Sequence, residues 1–212
     1  EPRLVVHYAS LDQDTSVFDV KEAYEDGDAD FHTIVAKMAD IPRSAAKTIN
    51  LGLFYGMGKA KLQAELGVSK DKAEELFSIY HSRVPFVKSL TKSVSNRAQQ
   101  RGQIRTLLGR LCRFHLWEPN TFGMHKALPF EQAVQEHGPG IKRAYTYKAL
   151  NKLIQGSAAD MTKKSMLDLY KEGIVAHIQI HDELDVSVES PEQAKKIVEI
   201  MENAVKLEIP NK

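Results

Sequence analysis

The stretch from Ile41 to Gly58, IPRSAAKTINLGLFYGMG, decides how the rest of the chain is read. Pro42 suits the first turn of a helix, where its missing amide costs nothing. Asp40 stands just ahead as a candidate N-cap, and Gly56 and Gly58 supply a stop. The pattern predicts a helix of about three to four turns between them. Arg43, Lys47, Leu51 and Tyr55 recur at four-residue steps, so they share one face. At about 1.5 Å of rise per residue, Arg43 and Lys47 lie roughly 6 Å apart along the axis. Two cations, then an apolar and an aromatic side chain, form a ladder. It suits a ligand with phosphates at one end and a flat ring at the other, as in a nucleoside triphosphate. An Arg and a Lys one turn apart are more commonly a solvated face, so the argument rests on the whole string.

Composition bounds what surrounds this helix. The chain has 212 residues, 42% of them apolar, enough for one sizeable core or two small ones. A net charge of +1 gives no overall basic signal, so contact with nucleic acid must come from local patches. A single cysteine, Cys112, excludes an internal disulfide and fits a reducing compartment. No apolar run approaches the roughly 20 residues that span a bilayer. With no signal peptide ahead of LVVHYA, a cytoplasmic location is expected, in a bacterium or an infected cell. Both ends look cut, and the chain reads as an internal piece of a longer protein.

The string R-x-x-x-K-x-x-N-[apolar]-G-x-x-Y-G, here Arg43, Lys47, Asn50, Leu51, Gly52, Tyr55 and Gly56, resembles the fingers-helix motif of family A DNA polymerases. Two further motifs follow in that family's order. N-x-x-x-Q-G-[ST]-A-A-D, from Asn151 to Asp160, resembles the helix that feels the minor groove at the primer end. His181-Asp182-Glu183 resembles the second carboxylate motif, at the bend of an alternating hairpin over 174–189. Asn151 and Gln155 lie one turn apart. An amide donor there meets the N3 and O2 acceptors that both orientations of an A·T pair present, testing pair shape without reading sequence. Where the family has an Arg one turn before the Asn, this chain has Tyr147.

The remaining pieces are read outward from these. Glu1 matches the last residue of D-x-S-x-x-E, whose metal-binding Asp is expected five residues upstream of the chain. Glu1-Pro2-Arg3 is expected to end a strand that runs into a short helix. Short helices are predicted over 17–25 and 31–39, with Gly27 between them. Asp30-Phe31-His32 resembles a D-x-H whose His contacts the incoming phosphates, though a single His on a helix is more often structural. The spacing from Glu1 to His32 suggests a phage-like loop insertion. Helices are predicted over 59–66 and, after a Ser69 cap, from 70 to about 100, divided or kinked at Pro85. Residues 102–114, GQIRTLLGRLCRF, predict a hairpin whose Arg105 and Arg110 suit a DNA backbone. Leu116–Gly140 shows little pattern. A helix is expected over 144–172 and another over 192–206.

The resemblance implies a mixed α/β fold. Helical fingers, 29–142, would be inserted in a palm with an antiparallel sheet and flanking helices, its parts being 1–28 and 143–212. It implies template-directed DNA synthesis with two Mg²⁺ ions. Asp182 would be a catalytic metal ligand with Glu183 at the metal edge, and Lys47 a catalytic cation. Arg43, Lys47, Leu51, Tyr55, His32 and Glu1 would bind the nucleotide, Glu1 beside Tyr55 blocking a 2′-hydroxyl. Asn151, Gln155, His181, Arg110 and Arg105 would meet DNA. The expected partners are primer-template DNA, a deoxynucleoside triphosphate and the rest of the polymerase, with no membrane, and the piece alone is expected to be inactive. Three alternatives stand beside this reading. A single-subunit RNA polymerase shares the layout but lacks a Glu at the Glu1 position. A His-Asp metal phosphohydrolase needs its ligands on several helices, whereas His181-Asp182 lies on a strand pattern. The third is a non-catalytic nucleotide- or DNA-binding piece.

Overall fold

The computed structural model describes residues 1–25, 30–121, 123 and 125–210, and only the backbone of 38 and 39. Helix α1, Pro2–Leu11, is buried nearly all round, through Leu4, Val5, Val6, His7 and Ala9. Pro2 and Arg3, expected at the end of a strand, already belong to the helix; Pro2 takes the first helical turn, where its missing amide is tolerated. A 3-10 turn, Thr15–Val17, leads into α2, Phe18–Glu25. The expected Gly27 break lies outside the described residues.

Helix α3, Phe31–Ala39, is capped by Asp30, whose carboxylate accepts from the His32 amide at 3.2 Å and the Thr33 hydroxyl at 2.8 Å. Asp40 is not the N-cap expected for the next helix. It closes α3 in the left-handed region, at φ 51°, with its amide bonded to the Ala36 carbonyl. Helix α4, Arg43–Phe54, therefore starts from Pro42 without a side-chain cap. Its inward face is Ala46, Ile49, Asn50 and Leu53, the i, i+3, i+4, i+7 pattern of a half-buried helix. Helix α5, Lys59–Leu66, follows as expected. The Ser69 hydroxyl accepts from Lys72 N at 3.2 Å and opens α6, Lys70–Arg83. Pro85 starts a separate helix, α7, Pro85–Arg101, which buries Phe86, Val87, Leu90, Val94 and Ala98.

Gly102, at φ 67°, reverses the chain out of α7. A Cβ there would meet the Arg143 guanidinium at 2.7 Å, so the turn admits only glycine without a shift. The expected hairpin follows: β1, Gln103–Arg105, pairs antiparallel with β2, Leu111–Arg113, Ile104 opposite Cys112. The stretch without sequence pattern is structured. Strands β3, Leu116–Pro119, β4, Leu128–Pro129, and β5, Ile141–Arg143, form a sheet in the order β4-β3-β5. Helix α8, Phe130–His137, packs on it, Phe130 edge-on to Trp117. These strands are two to four residues long, too short to carry alternation.

A 3-10 turn, Thr146–Lys148, precedes α9, Ala149–Lys171, so the long helix starts five residues later than predicted. Strands β6, Ile178–Ile180, and β7, Glu183–Asp185, form the expected hairpin with His181-Asp182 at its bend, His181 at φ 54°. Helix α10, Pro191–Glu202, ends short of Lys206. The main core runs from Leu4 to Ile209 and draws on α1, α3, α4, α6, α7 and α9. A smaller cluster joins Leu169, Ile174 and Ile197 to Leu184 and Val186. The first and last described segments are sewn together. Arg3 Nη1 donates to the Pro210 carbonyl at 2.6 Å, and Glu208 N to His7 Nδ1 at 3.0 Å. No helix among the described residues is long and apolar enough to cross a membrane. The architecture is the expected mixture of helices with small antiparallel sheets.

Candidate nucleotide and DNA site

Because α4 turns Ala46, Ile49, Asn50 and Leu53 inward, its other face carries the ladder. Arg43 and Lys47 are exposed, Leu51 and Tyr55 half-buried. Tyr55 stands at the C-terminal end, where its hydroxyl donates to Glu1 Oε2 and also engages Gln155. Burial, and then the Glu1 carboxylate, hold its proton well above the ordinary range of a phenol. One hydroxyl thus ties the start of α1, the end of α4 and the middle of α9. The amide pair, half-buried Asn151 and exposed Gln155, lies on that same α9.

At the other end of α4, Arg43 Nε donates to Asp30 Oδ2 at 2.6 Å. Desolvation would raise the Asp30 pKa. The Thr33 hydroxyl, the Arg43 guanidinium and the His32 amide outweigh it and hold the pKa at about 2. Asn50 Nδ2 meets His32 Nδ1 at 2.9 Å. That leaves Nδ1 as the acceptor and puts the ring proton on Nε2. Desolvation, with Arg43 and Lys47 nearby, holds the His32 pKa below its ordinary value, against the pull of Asp30. His32, Asp30, Glu1, Asp182 and Ser165 line one cavity of about 660 Å³. Imidazole and carboxylates therefore converge from α1, α3, α9 and the β6–β7 bend, and α4 borders the cavity through the bonds of Arg43, Asn50 and Tyr55 to Asp30, His32 and Glu1.

The family model for DNA polymerase family A matches residues 7–212. The chain belongs to DNA polymerase family A. A DNA-directed DNA polymerase of Pseudomonas phage M6 is 32% identical over 254 aligned residues, covering 100% of this chain and 35% of that protein. The thermostable DNA polymerase I of Thermus filiformis is 32% identical, over 79% of this chain and 19% of its own length. The polymerase domain of Pol1 from M. smegmatis, solved with DNA primer-template and dNTP, superposes with a TM-score of 0.74 at 27% identity. It covers 99% of this chain and 36% of the solved one. The family A chain thus spans about a third of the first of these relatives.

Within the family A chain, the Arg-rich hairpin is placed differently from the nucleotide ladder. Arg105 is exposed, and among the described residues its Nη1 donates only to the Gly109 carbonyl of its own turn, at 3.1 Å. Arg110 lies against α9. Its Nε reaches Asp160 Oδ1 at 2.9 Å, and its Nη2 reaches Asp160 at 2.8 Å and the Gly156 carbonyl at 2.6 Å. The same clamp includes Ser157 Oγ, which takes the Leu107 amide at 3.0 Å and stands 2.7 Å from the Tyr8 hydroxyl. Asp160 is 5% exposed and Ser157 fully buried.

Two participants were not singled out from sequence. Asp30 was read only as the first letter of D-x-H. An Asp directly before an apolar run was the signal for a cap. Asp160 closes the small-residue string on α9, and nothing local marks it as the partner of an Arg fifty residues earlier. Asp182 and Glu183 are exposed oxygen donors of the kind Mg²⁺ takes. Among the described residues, no group of three His, Cys, Asp or Glu side chains stands close enough together to hold a metal ion.

Proposed function

We infer that this chain supplies the fingers, 29–142, and parts of the palm, 1–28 and 143–212, to a polymerase that copies a DNA template. The supporting observation is the Tyr55 hydroxyl bonded to Glu1 and Gln155 at the end of the Arg43–Lys47–Leu51–Tyr55 face. The triphosphate would lie along α4. Arg43, its fork held through Nε by Asp30, keeps its terminal N–H groups for the outer phosphates. Lys47 would neutralise charge that develops as pyrophosphate leaves, and the His32 Nε2–H would donate to a phosphate oxygen. Glu1, fixed by Tyr55, would close the space beneath the sugar to a 2′-hydroxyl, with Leu51 against the sugar itself. Asn151 and Gln155 would donate into the minor groove at the primer end, with Arg105 offered to the backbone and His181 to the primer terminus. Asp182 and Glu183 would hold Mg²⁺; the ion, when bound, supplies Lewis-acid activation of the primer hydroxyl.

Lys47→Ala in the polymerase that carries this chain tests the reading. Removing one preorganised donor at a developing charge lowers single-turnover incorporation by about 10²–10³-fold. Affinity for primer-template stays within about twofold, since Lys47 stands on the nucleotide face. A variant that loses DNA affinity and keeps its incorporation rate would remove α4 from the nucleotide.

A further inference from the structure

Behind α9 lies a second basic feature that the nucleotide reading does not use. A groove of about 200 Å³ opens between α1, α7, β1 and α9. Arg97, Arg101 and Arg105 form its rim, and Leu90, Val94 and Leu153 its floor. Arg97 and Arg101 stand one turn apart on α7. Gly102 then reverses the chain and brings Arg105 back beside them. Leu153 is two residues, about 200° of turn, from both Asn151 and Gln155. The groove therefore faces away from the amide pair and from the nucleotide ladder.

The three arginines are not equally committed. Arg97 is held by Asp12, the single carboxylate lining the groove among the described residues, and by Ser93 Oγ at 2.9 Å. Arg105 spends one N–H on its own turn. Arg101 makes no hydrogen bond or ion pair among the described residues. Near a helix C-terminus a cation also meets the dipole favourably, which accounts for Arg101 alone. It does not account for an Arg from a different element converging on the same aliphatic floor. Two forks with free donors over a narrow apolar trough match a phosphate with its sugar. A volume of about 200 Å³ admits one such unit and not a duplex.

We propose that this groove binds the phosphodiester backbone of a single DNA strand, through Arg101 and Arg105 with Arg97 fixed beside them by Asp12. The inference rests on the DNA-handling reading of Arg105 above and extends it to a second site. The experiment is an anisotropy titration of 5′-labelled dT12 with the chain, at several salt concentrations and without nucleotide or metal. It compares the native chain with Arg101→Gln/Arg105→Gln. The variant should bind about tenfold more weakly at 0.1 M salt. Its slope of log K against log salt should fall by about 1.4, the loss of two phosphate contacts on a single strand. A third protein, Lys163→Gln/Lys195→Gln, removes the same charge from exposed positions elsewhere and should change the slope by less than half as much. Arg101→Gln alone, which breaks no bond of the fold, covers the case in which the double variant melts early. Native affinity in the Arg variants overturns the proposal. So does an equal loss in the lysine variant, or displacement of dT12 by millimolar inorganic phosphate, which would make this a free-anion site. Since no nucleotide is present, this result and the Lys47→Ala result fail independently.

Discussion

Leu51 carries the most specific consequence of any single residue. It shares the ladder face with Lys47 and Tyr55 and is half-buried, and on the proposed reading a nucleotide laid along α4 would place its sugar against this side chain. Leucine has no hydroxyl with which to replace a missing 3′-hydroxyl, so the polymerase should discriminate against dideoxynucleotides. Leu51→Tyr adds a donor, and one net hydrogen bond of about 1.4 kcal/mol raises the dideoxy-to-deoxy incorporation ratio about tenfold. Competitive primer extension reads that ratio. No change, at normal activity, would show that Leu51 does not meet the sugar. His7 makes a prediction of a different kind. It is 5% exposed, and its Nδ1 accepts from the Glu208 amide. Burial, against the pull of Glu208, keeps its pKa below the usual value near 6.5. A histidine that resists protonation when folded, and not when unfolded, stabilises the protein fully above that value. The contribution is lost as pH falls through it. His32 and His81, also lowered first by burial, act in the same direction. Tm should therefore fall from about pH 7 toward pH 5, and His7→Gln should flatten part of that fall. A Tm that rises on acidification would contradict the neutral, accepting His7.

At the scale of elements, the clamp between the hairpin turn and α9 is where one atom matters most. A Cβ on Gly156 would sit 2.7 Å from Thr106 Cγ2. Gly156→Ala should cost about 1–3 kcal/mol by overpacking, and Tm should drop roughly 2–4 °C for each kcal/mol in a chain of this size. Thr106→Ser removes the offending methyl and should restore much of the loss. Calorimetry on the pair decides, and an unchanged Tm for Gly156→Ala would mean the turn does not rest on α9. The same region explains what the sequence could convey. Helices α3, α4, α6 and α7 were readable because each buries an apolar stripe and carries a cap or a proline at its boundary, as Ser69 and Pro85 do. Helix α4 was misread only at its start, because Asp40 serves the helix before it. The nucleotide ladder was readable because it lies on one helix, where spacing alone fixes a face. The Arg110–Asp160 clamp was not readable, since its partners meet across fifty residues. Strands β3 to β5 were missed because pairing across the sheet, and not a local period, holds them.

On the scale of the whole molecule, the charges that nearly cancel in composition gather in local patches, which touch where Arg43 meets Asp30. Cations line α4 and the back of α9, while carboxylates gather at Glu1, Asp30 and the β6–β7 bend. Core residues from Leu4 to Ile209 enclose this arrangement, so α1 is held by segments far from it in sequence. The seam that closes it joins Arg3 to Pro210 and His7 to Glu208, contacts that span 207 and 201 positions. Closing so long a loop costs entropy that grows as (3/2)RT ln n, before any contact repays it. Such a contact belongs late on the folding path and early on the unfolding one. Hydrogen exchange at the Glu208 amide should therefore report a local opening well below the global free energy, while amides inside α7 and α9 exchange only on complete unfolding. Equal protection at Glu208 and in α7 would mean the seam is fastened as firmly as the core. Otherwise the molecule breathes along one line, where its two extremities meet, and that line borders the cavity that Glu1 and His32 share.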